Sequence, residues 1–283
     1  MYAIIKERSL SMSSLFFIKT DTKSTKICYN KYILEVLIVK NVLITGGSGD
    51  LGKSIAYKIA EQLKNNCLII LHYNSNKTKA EQIADDIKNK YGCKTDIINA
   101  NFKDIKSVEK MVSTIIEKFG GVDVLINNAA AVVDADISER TTQIFEETLR
   151  CNLVVPFYLS KTFGSLMEKK GHGKIINISS TNVIDYNSPY SMDYDASKAG
   201  LNSLTKNFAM TFKNVNVNCI CPHWMDTQMN ADLEPDFLEE EARKIIKGRF
   251  AKTSEVAELV WFLVSDNADY LTGQIYSFGS YNY

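Results

Sequence analysis

The chain is short of nearly everything that a metal enzyme or a histidine-dependent hydrolase needs. Its 283 residues include three histidines, His72, His172 and His223, far apart in sequence. The six cysteines are scattered; only Cys219 and Cys221 come close, as C-x-C, and no C-x-x-C pair or cysteine/histidine ligand spacing occurs. No metal site is expected, and the cysteines read as reduced thiols of a cytoplasmic protein. Net charge is lacking too. The 33 basic residues balance 33 acidic ones, which leaves no footprint for nucleic acid and no polybasic patch for a membrane. No apolar run approaches the roughly 20 residues that span a bilayer. Lys6 and Arg8 ahead of Leu10 to Ile18 faintly echo a signal peptide, but serines break the run and no small-residue cleavage site follows.

What is present suits a packed core, with 45% hydrophobic and 23% charged residues. Residues 1–39 read as an N-terminal extension of unknown role, where short apolar pieces alternate with Lys, Thr and Ser and no helical period emerges. From Asn41 a rhythm begins. Apolar, β-branched-rich runs at Asn41–Thr45, Cys67–His72, Thr95–Ala100, Val122–Asn127, Lys174–Ser179, Val215–Ile220 and Gln274–Ser277 predict strands. Helical stretches near 51–64, 77–90, 105–119, 139–169, 193–213 and 254–265 separate them. Several strands lack inside/outside alternation, as expected when helices cover both faces of a parallel sheet. No repeat or linker interrupts 40–283, which reads as one α/β domain of βαβ units around a parallel sheet.

The first strand runs into Thr45-Gly46-Gly47-Ser48-Gly49-Asp50-Leu51-Gly52, then a helix. Glycines permit a sharp strand-to-helix turn and let phosphate approach the amides at the helix start. Gly47 with Gly52-Lys53-Ser54 also fits the P-loop form G-x-x-x-x-G-K-S, which predicts a nucleoside triphosphatase instead. That reading needs an acid at the tip of a neighbouring strand to help hold magnesium. The tips are Asn127 and Ser179, and it fails there.

Further on, Tyr194 and Lys198 stand four apart on an expected helix, one turn from each other. A free phenol has a pKa of about 10 and is a poor proton donor or acceptor near neutrality. A cation one turn away favours the phenolate.

With the glycine turn, Asn127-Asn128-Ala129-Ala130 after the fourth strand and Tyr194/Lys198 after the fifth, the chain resembles the short-chain dehydrogenase/reductase family from about residue 40 onward. The 3-oxoacyl-(acyl-carrier-protein) reductase branch is the nearest in flavour. The resemblance implies a Rossmann-type, doubly wound parallel sheet of seven strands, a nicotinamide cofactor, hydride transfer to or from a carbonyl/alcohol carbon, and a homodimer or homotetramer. It makes Tyr194 the general acid/base and gives Lys198 the tasks of lowering its pKa and holding the nicotinamide ribose. Ser180, fourteen residues before Tyr194, would hydrogen-bond the substrate oxygen. Ser179 and Thr181 are alternatives for that role, though the strand register favours Ser180. Asn152 matches the helix asparagine that anchors a water for proton relay. Cofactor contacts are implied for Gly46, Ser48, Asp50, Leu51 and Gly52, for Asn101 and Phe102 near adenine, for Asn128, Ala129 and Ala130, and for Pro222 and Thr227. Asp50, Ala130 and His223 stand at positions where the family has glycine, and an acid beside a pyrophosphate repels it unless its carboxylate points away. A nucleotide-binding scaffold or sensor that keeps the fold without the chemistry is the alternative reading.

No acid occurs between Leu71 and Ala80. An acid there would bind the adenosine ribose and repel a 2′-phosphate. Tyr73, Asn74 and Ser75, with Lys77, suit a phosphate instead, so NADP(H) is expected over NAD(H). Residues 224–248 are expected to form a lid, in which Trp224, Met225, Met229 and Phe237 suit a partly apolar carbonyl compound. Acidic residues crowd that lid, which disfavours an acidic acyl carrier protein, although Lys169, Lys170, Arg243, Lys244 and Lys247 are available to dock one.

Overall fold

β-Branched strands with no polar side need cover on both faces. The computed structural model provides it and describes residues 39–184, 187–230 and 233–281. Strands β1 (Lys40–Ile44), β2 (Cys67–Tyr73) and β3 (Lys94–Asn99) alternate with helices α1 (Asp50–Leu63), α2 (Lys77–Tyr91) and α3 (Ile105–Phe119). Then come β4 (Val124–Asn127), α4 (Thr142–Leu149), α5 (Val155–Lys170), β5 (Gly173–Ile178), α6 (Met192–Thr211) and β6 (Val215–Pro222). The chain closes with β7 (Met225–Asp226), α7 (Pro235–Lys244), β8 (Ala251–Lys252), α8 (Thr253–Val264) and β9 (Ile275–Phe278). Seven strands form one parallel sheet in the order β3-β2-β1-β4-β5-β6-β9, while β7 and β8 pair apart from it. The expected N-terminal extension, apart from Val39, lies outside the described residues.

Alternate residues of each strand face opposite layers. Val42 and Ile44 of β1 join Ile55, Ile59 and Ala60 of α1, Ile83 and Ile87 of α2, and Val256, Val260 and Leu263 of α8. Leu43 joins the other layer, with Val108, Met111 and Ile115 of α3, Val155, Leu159 and Phe163 of α5, and Phe208 of α6. The spacing of α1 explains its docking: Leu51, Ile55 and Ile59 recur every fourth residue and are all buried.

Strand order reverses between β1 and β4, the switch point at which ligands of such sheets bind beyond the carboxyl ends. Register aligns those ends, with Ile44 beside Leu71 and Ile126, Asn127 beside Asn177, and Ile178 beside Ile220. A buried amide ladder ties this edge to α6. Asn127 Nδ2 donates to Asn177 Oδ1 (2.8 Å), and Asn177 Nδ2 donates to Thr205 Oγ1 (2.9 Å).

Two departures from the expected elements matter. The helix expected over 139–169 begins at Thr142 and is broken by a π turn at Arg150–Val154, whose wide loop carries Asn152. The lid holds more order than expected, with α7 and the β7–β8 pair inside or beside it.

Candidate active site

The turn after β1 depends on glycine at two points. Gly46 has φ +64°, and a Cβ on Gly52 would lie 2.2 Å from the Gly46 carbonyl oxygen. Only a bare backbone packs so closely. The turn is pinned from three sides. Asn128 Nδ2 donates to Thr45 O (2.8 Å), and Thr45 Oγ1 accepts the Asn128 and Ala129 amides, both at 2.9 Å. On the third side, the Gly46 amide donates to His72 Nδ1 (3.0 Å). The other ring nitrogen, Nε2, therefore carries the proton and donates to Ala100 O (3.0 Å). Burial pushes the His72 pKa down to about 4, which keeps the ring neutral. The first amides of α1, at Asp50, Leu51 and Gly52, have no partner of their own within the helix. With Ser48 half-buried beside them, this cradle fits the phosphates of a dinucleotide.

Asp50 does not face the cradle as an unpaired acid. Its carboxylate accepts the Gln228 amide (2.7 Å) and pairs with Lys79 Nζ (3.3 Å). The Gln228 amide, ahead of Lys79, holds the Asp50 carboxyl below its ordinary value, against the opposing effect of burial. Thus the acid at a family glycine position ties the lid, next to Thr227, to the glycine turn. Lys77 faces Glu81 instead (3.2 Å). Lys79, not singled out in the sequence, is the cation that reaches the turn. Tyr73 is half-buried and Asn74 and Ser75 are exposed at the end of β2. Asn101 closes its own turn by accepting the Lys103 amide (3.0 Å). Phe102 is spent in the core, stacked on His72 at 4.2 Å. Ala130 is exposed, Pro222 ends β6 in the core, and Thr227 is half-buried in the lid.

His223 also finds room at its glycine position. Its amide donates to Phe278 O (3.0 Å), and its ring packs edge-on against Tyr281 at 4.3 Å. The space comes from Gly279 opposite, where φ is +107° and a Cβ would lie 2.9 Å from the His223 Cβ.

Tyr194 stands in the first turns of α6. Lys198 Nζ lies 5.3 Å from the centre of its ring and donates to Ile178 O (2.8 Å). Ser180 follows β5, close enough to Tyr194 to pull its pKa down, and is braced by Asn182, whose backbone amide it accepts at 3.2 Å. Asn182 Nδ2 in turn donates to Asp195 Oδ1 (3.0 Å), and Asp195 Oδ2 accepts the Ser188 amide (2.8 Å). Asp195 therefore gathers both ends of the loop carrying Ser180. Asn152 reaches the same helix: Nδ2 donates to Ser197 Oγ (3.1 Å) and to Ala131 O (2.8 Å), while Oδ1 accepts the Ala131 amide (2.7 Å). Its side chain acts as a staple between the segment after β4 and α6.

Burial dominates the electrostatics of the pair. Burial pushes the Tyr194 phenol up to about 12, with the Ser180 hydroxyl pulling it back and Asp195, Cys221 and Asp134 adding to the rise. Burial also pushes Lys198 down to about 8. Loss of water penalises the phenolate and the ammonium alike, so burial raises the one and lowers the other.

A family model described as Enoyl-(Acyl carrier protein) reductase matches residues 51–278. The 3-oxoacyl-(acyl-carrier-protein) reductase of Staphylococcus aureus is 33% identical over 239 residues, covering 84% of this chain and 95% of that protein. The chain belongs to the short-chain dehydrogenase/reductase family. As a member, it is a short-chain NAD(P)-dependent oxidoreductase acting on the CH–OH/C=O couple. The Aquifex aeolicus reductase of the same description is 33% identical over 236 residues, 82% of this chain and 93% of its own length. Among solved structures, a protein described as an NAD(P)-dependent gluconate 5-dehydrogenase from Beutenbergia cavernae, with bound NADP, superposes with a TM-score of 0.77. It is 26% identical and covers 85% of this chain and 95% of its own. An angucycline C-6 ketoreductase with bound NADP gives 0.75 at 25% identity, covering 84% and 93%.

Within this short-chain oxidoreductase the P-loop pattern is accounted for structurally. Lys53 Nζ lies 5.7 Å from the centre of the Tyr57 ring, and Ser54 bonds Thr253 (2.7 Å). The residues that the sequence left unmarked, His72, Lys79, Asn182 and Asp195, all act through partners distant in the chain.

Proposed function

We propose that the protein is an NADPH-dependent reductase of small carbonyl compounds, reversible as an alcohol dehydrogenase, with Tyr194 as its general acid/base. The observation that carries this reading is the gathering of Ser180, Tyr194, Lys198 and Asn152 beside the glycine turn, at the carboxyl edge of the sheet. A bound nicotinamide dinucleotide supplies or accepts the hydride. The chain's own residues handle the rest. The phenol, held up near 12, keeps its proton at neutral pH and is a donor at hand for the oxygen of a carbonyl undergoing reduction. Ser180 orients that oxygen against Tyr194. Lys198, buried and charged below about pH 8, balances the negative charge left on the phenolate oxygen.

NADPH over NADH is supported by the absence of an acid after β2 and by Lys79 at the turn. A free substrate over a carrier-bound one is supported by the basic residues offered for docking. Arg243 pairs with Glu239, Lys244 with Glu240 and Glu241, and Lys170 with Asp123, ahead of β4 at the opposite edge of the sheet. An apolar groove of about 320 Å³ along α5 and α6, lined by Leu153, Val154, Phe157 and Leu204, supports a homodimer or homotetramer. Free thiols at Cys67, Cys93, Cys151, Cys219 and Cys221 suit the cytoplasm. The first strand begins at Lys40, which supports 40–283 as the catalytic domain and 1–39 as an added arm.

The test is a fluorescence titration with NADPH and NADH side by side, followed by a carbonyl screen with the better cofactor. Tight NADPH binding and turnover lost in Tyr194→Phe are expected. Near-wild-type turnover in that variant defeats the mechanism, and a preference for NADH defeats the cofactor assignment.

A further inference from the structure

Arg140 lies in the wall that follows β4, outside every motif of the sequence. Its side chain is nonetheless only 2% exposed, and it pairs with Asp193, which is 0% exposed and directly precedes Tyr194. The guanidinium does more than meet one carboxylate. Its Nη2 donates to Val133 O (2.9 Å), Ala135 O (3.2 Å) and Tyr190 O. The Ala135 amide also donates to Tyr190 O (3.1 Å). Arg140 therefore joins three segments: its own wall, the loop entering α6, and the first turn of α6.

The wall is fastened to α6 at a second point. Asn152 clasps the Ala131 backbone and bonds Ser197. Asp193 and Ser197 are four residues apart, one helical turn, with Tyr194 between them. The two fastenings flank the phenol. Between them on the wall sits Asp134, whose charge is felt at Tyr194 and is in turn moderated by Arg140.

We propose that Arg140, paired with Asp193, is a positioning residue of this oxidoreductase, locking the cleft wall to the catalytic helix while the pair itself adds no net charge beside Tyr194. The proposal rests on Tyr194 as the acid/base. The guanidinium and the carboxylate meet directly, so the buried pair is neutral as a unit. The pair is joined through Nη1 and Oδ1 alone. Arg140 Nε and Asp193 Oδ2 are buried without a hydrogen-bond partner among the described residues. A lone fork-to-carboxylate pair would use those atoms too. Here the fork is turned so that its other arm serves the three carbonyls.

The groups facing Tyr194 are Lys198 and Asp195 on α6, Cys221 on β6, Ser180 after β5 and Asp134 on the wall. Against this fixed background, removal of either partner changes the charge at the start of the helix in a known direction. The experiment compares Asp193→Asn, Arg140→Met, the double variant and Tyr194→Phe in the full chain, reading kcat and KM against pH in the alcohol-oxidation direction. Asp193→Asn leaves the guanidinium unopposed, so the titrating limb moves to lower pH by about one unit while kcat falls at least tenfold through loss of position. Arg140→Met lowers kcat similarly without that downward move. The double variant returns the limb to its wild-type place and recovers kcat to within about tenfold. Arg140→Lys keeps the charge but not the fork, so it keeps the limb and loses kcat.

Unshifted limbs in both single variants, with a double variant no better than the worse single, overturn the proposal and reduce the pair to a packing element. Tyr194→Phe separates the two levels. If the limb persists there, the acid/base assignment fails, and the clamp is then judged by the coupling of the two sites in kcat alone, additive losses refuting it.

Discussion

Acidification tests the glycine turn through one side chain. His72 accepts the Gly46 amide and is neutral because burial holds its pKa near 4, against an ordinary value of 6.5. Folded and unfolded states therefore bind protons differently between those two values. The unfolded chain takes up a proton at His72 as pH falls through 6.5, whereas the folded chain refuses it until about 4. Stability from this group is complete above pH 6.5 and drains away down to pH 4. Each pKa unit between the states is worth about 1.4 kcal/mol, so the loss across the window is about 3 kcal/mol. His72→Gln removes the titration. It lowers stability at pH 7 by about 1–3 kcal/mol, because the Gly46 amide and the Ala100 carbonyl lose a fitted partner. Urea unfolding of both proteins, stepped from pH 7 to pH 4, measures the gap between them. The difference should move by about 3 kcal/mol in the variant's favour, closing or reversing by pH 4, and background carboxylates cancel because both proteins share them. A gap that stays constant across the window refutes the tautomer and the role given to His72.

Three further outcomes follow from the same geometry. Because Lys198 loses its proton near pH 8, the rate of carbonyl reduction should decline as pH rises through that value, and a flat pH–rate profile from 7 to 9 counts against its charge. Gly279→Ala forces a side chain onto φ +107° and against His223, which should cost about 1–3 kcal/mol. Thermal melting checks it, and adding His223→Gly should return part of the loss by removing the close contact. Asp50→Ala frees both Lys79 and the Gln228 amide, so hydrogen exchange at Gln228 should rise at least tenfold, and unchanged exchange would show that the strap does not hold the lid.

Local signals carried the fold well. The glycine turn, the β-branched runs and the Tyr194/Lys198 spacing are each properties of adjacent residues, and the sheet, its seven strands and the helix carrying the pair follow from them. The fastenings of the site were not legible. Gly46 and His72 are 26 residues apart, Arg140 and Asp193 are 53, and Asp50 and Gln228 are 178. Such pairs leave no period in the sequence, and each member alone looks like an ordinary polar residue. The departures from family glycines were legible as oddities, but their resolution was not. Asp50 is relieved by a lid amide and His223 by a glycine on another strand's end, and both partners become visible only when the sheet is assembled. The long helix was over-extended because the residues of the π turn keep apolar spacing on either side of Asn152.

That π turn has a bearing on which changes of length the gene can bear. The Val155 amide reaches back five residues to Arg150 O, so the stretch holds one residue more than a regular helix would. Deleting a single codon anywhere in 151–154 would heal the hydrogen bonding and make a better helix. It would also rotate everything on one side of the scar by about 100°. Either the α5 face carrying Leu159 and Phe163 leaves the core, or Asn152 swings away from Ala131 and Ser197. The extra residue acts as a phase shifter between two halves of one rod, one half answering to the core and the other to the cleft. Loops elsewhere on the surface can lengthen or shorten at small cost, whereas this stretch, inside what looks like uninterrupted helix, is pinned to one length.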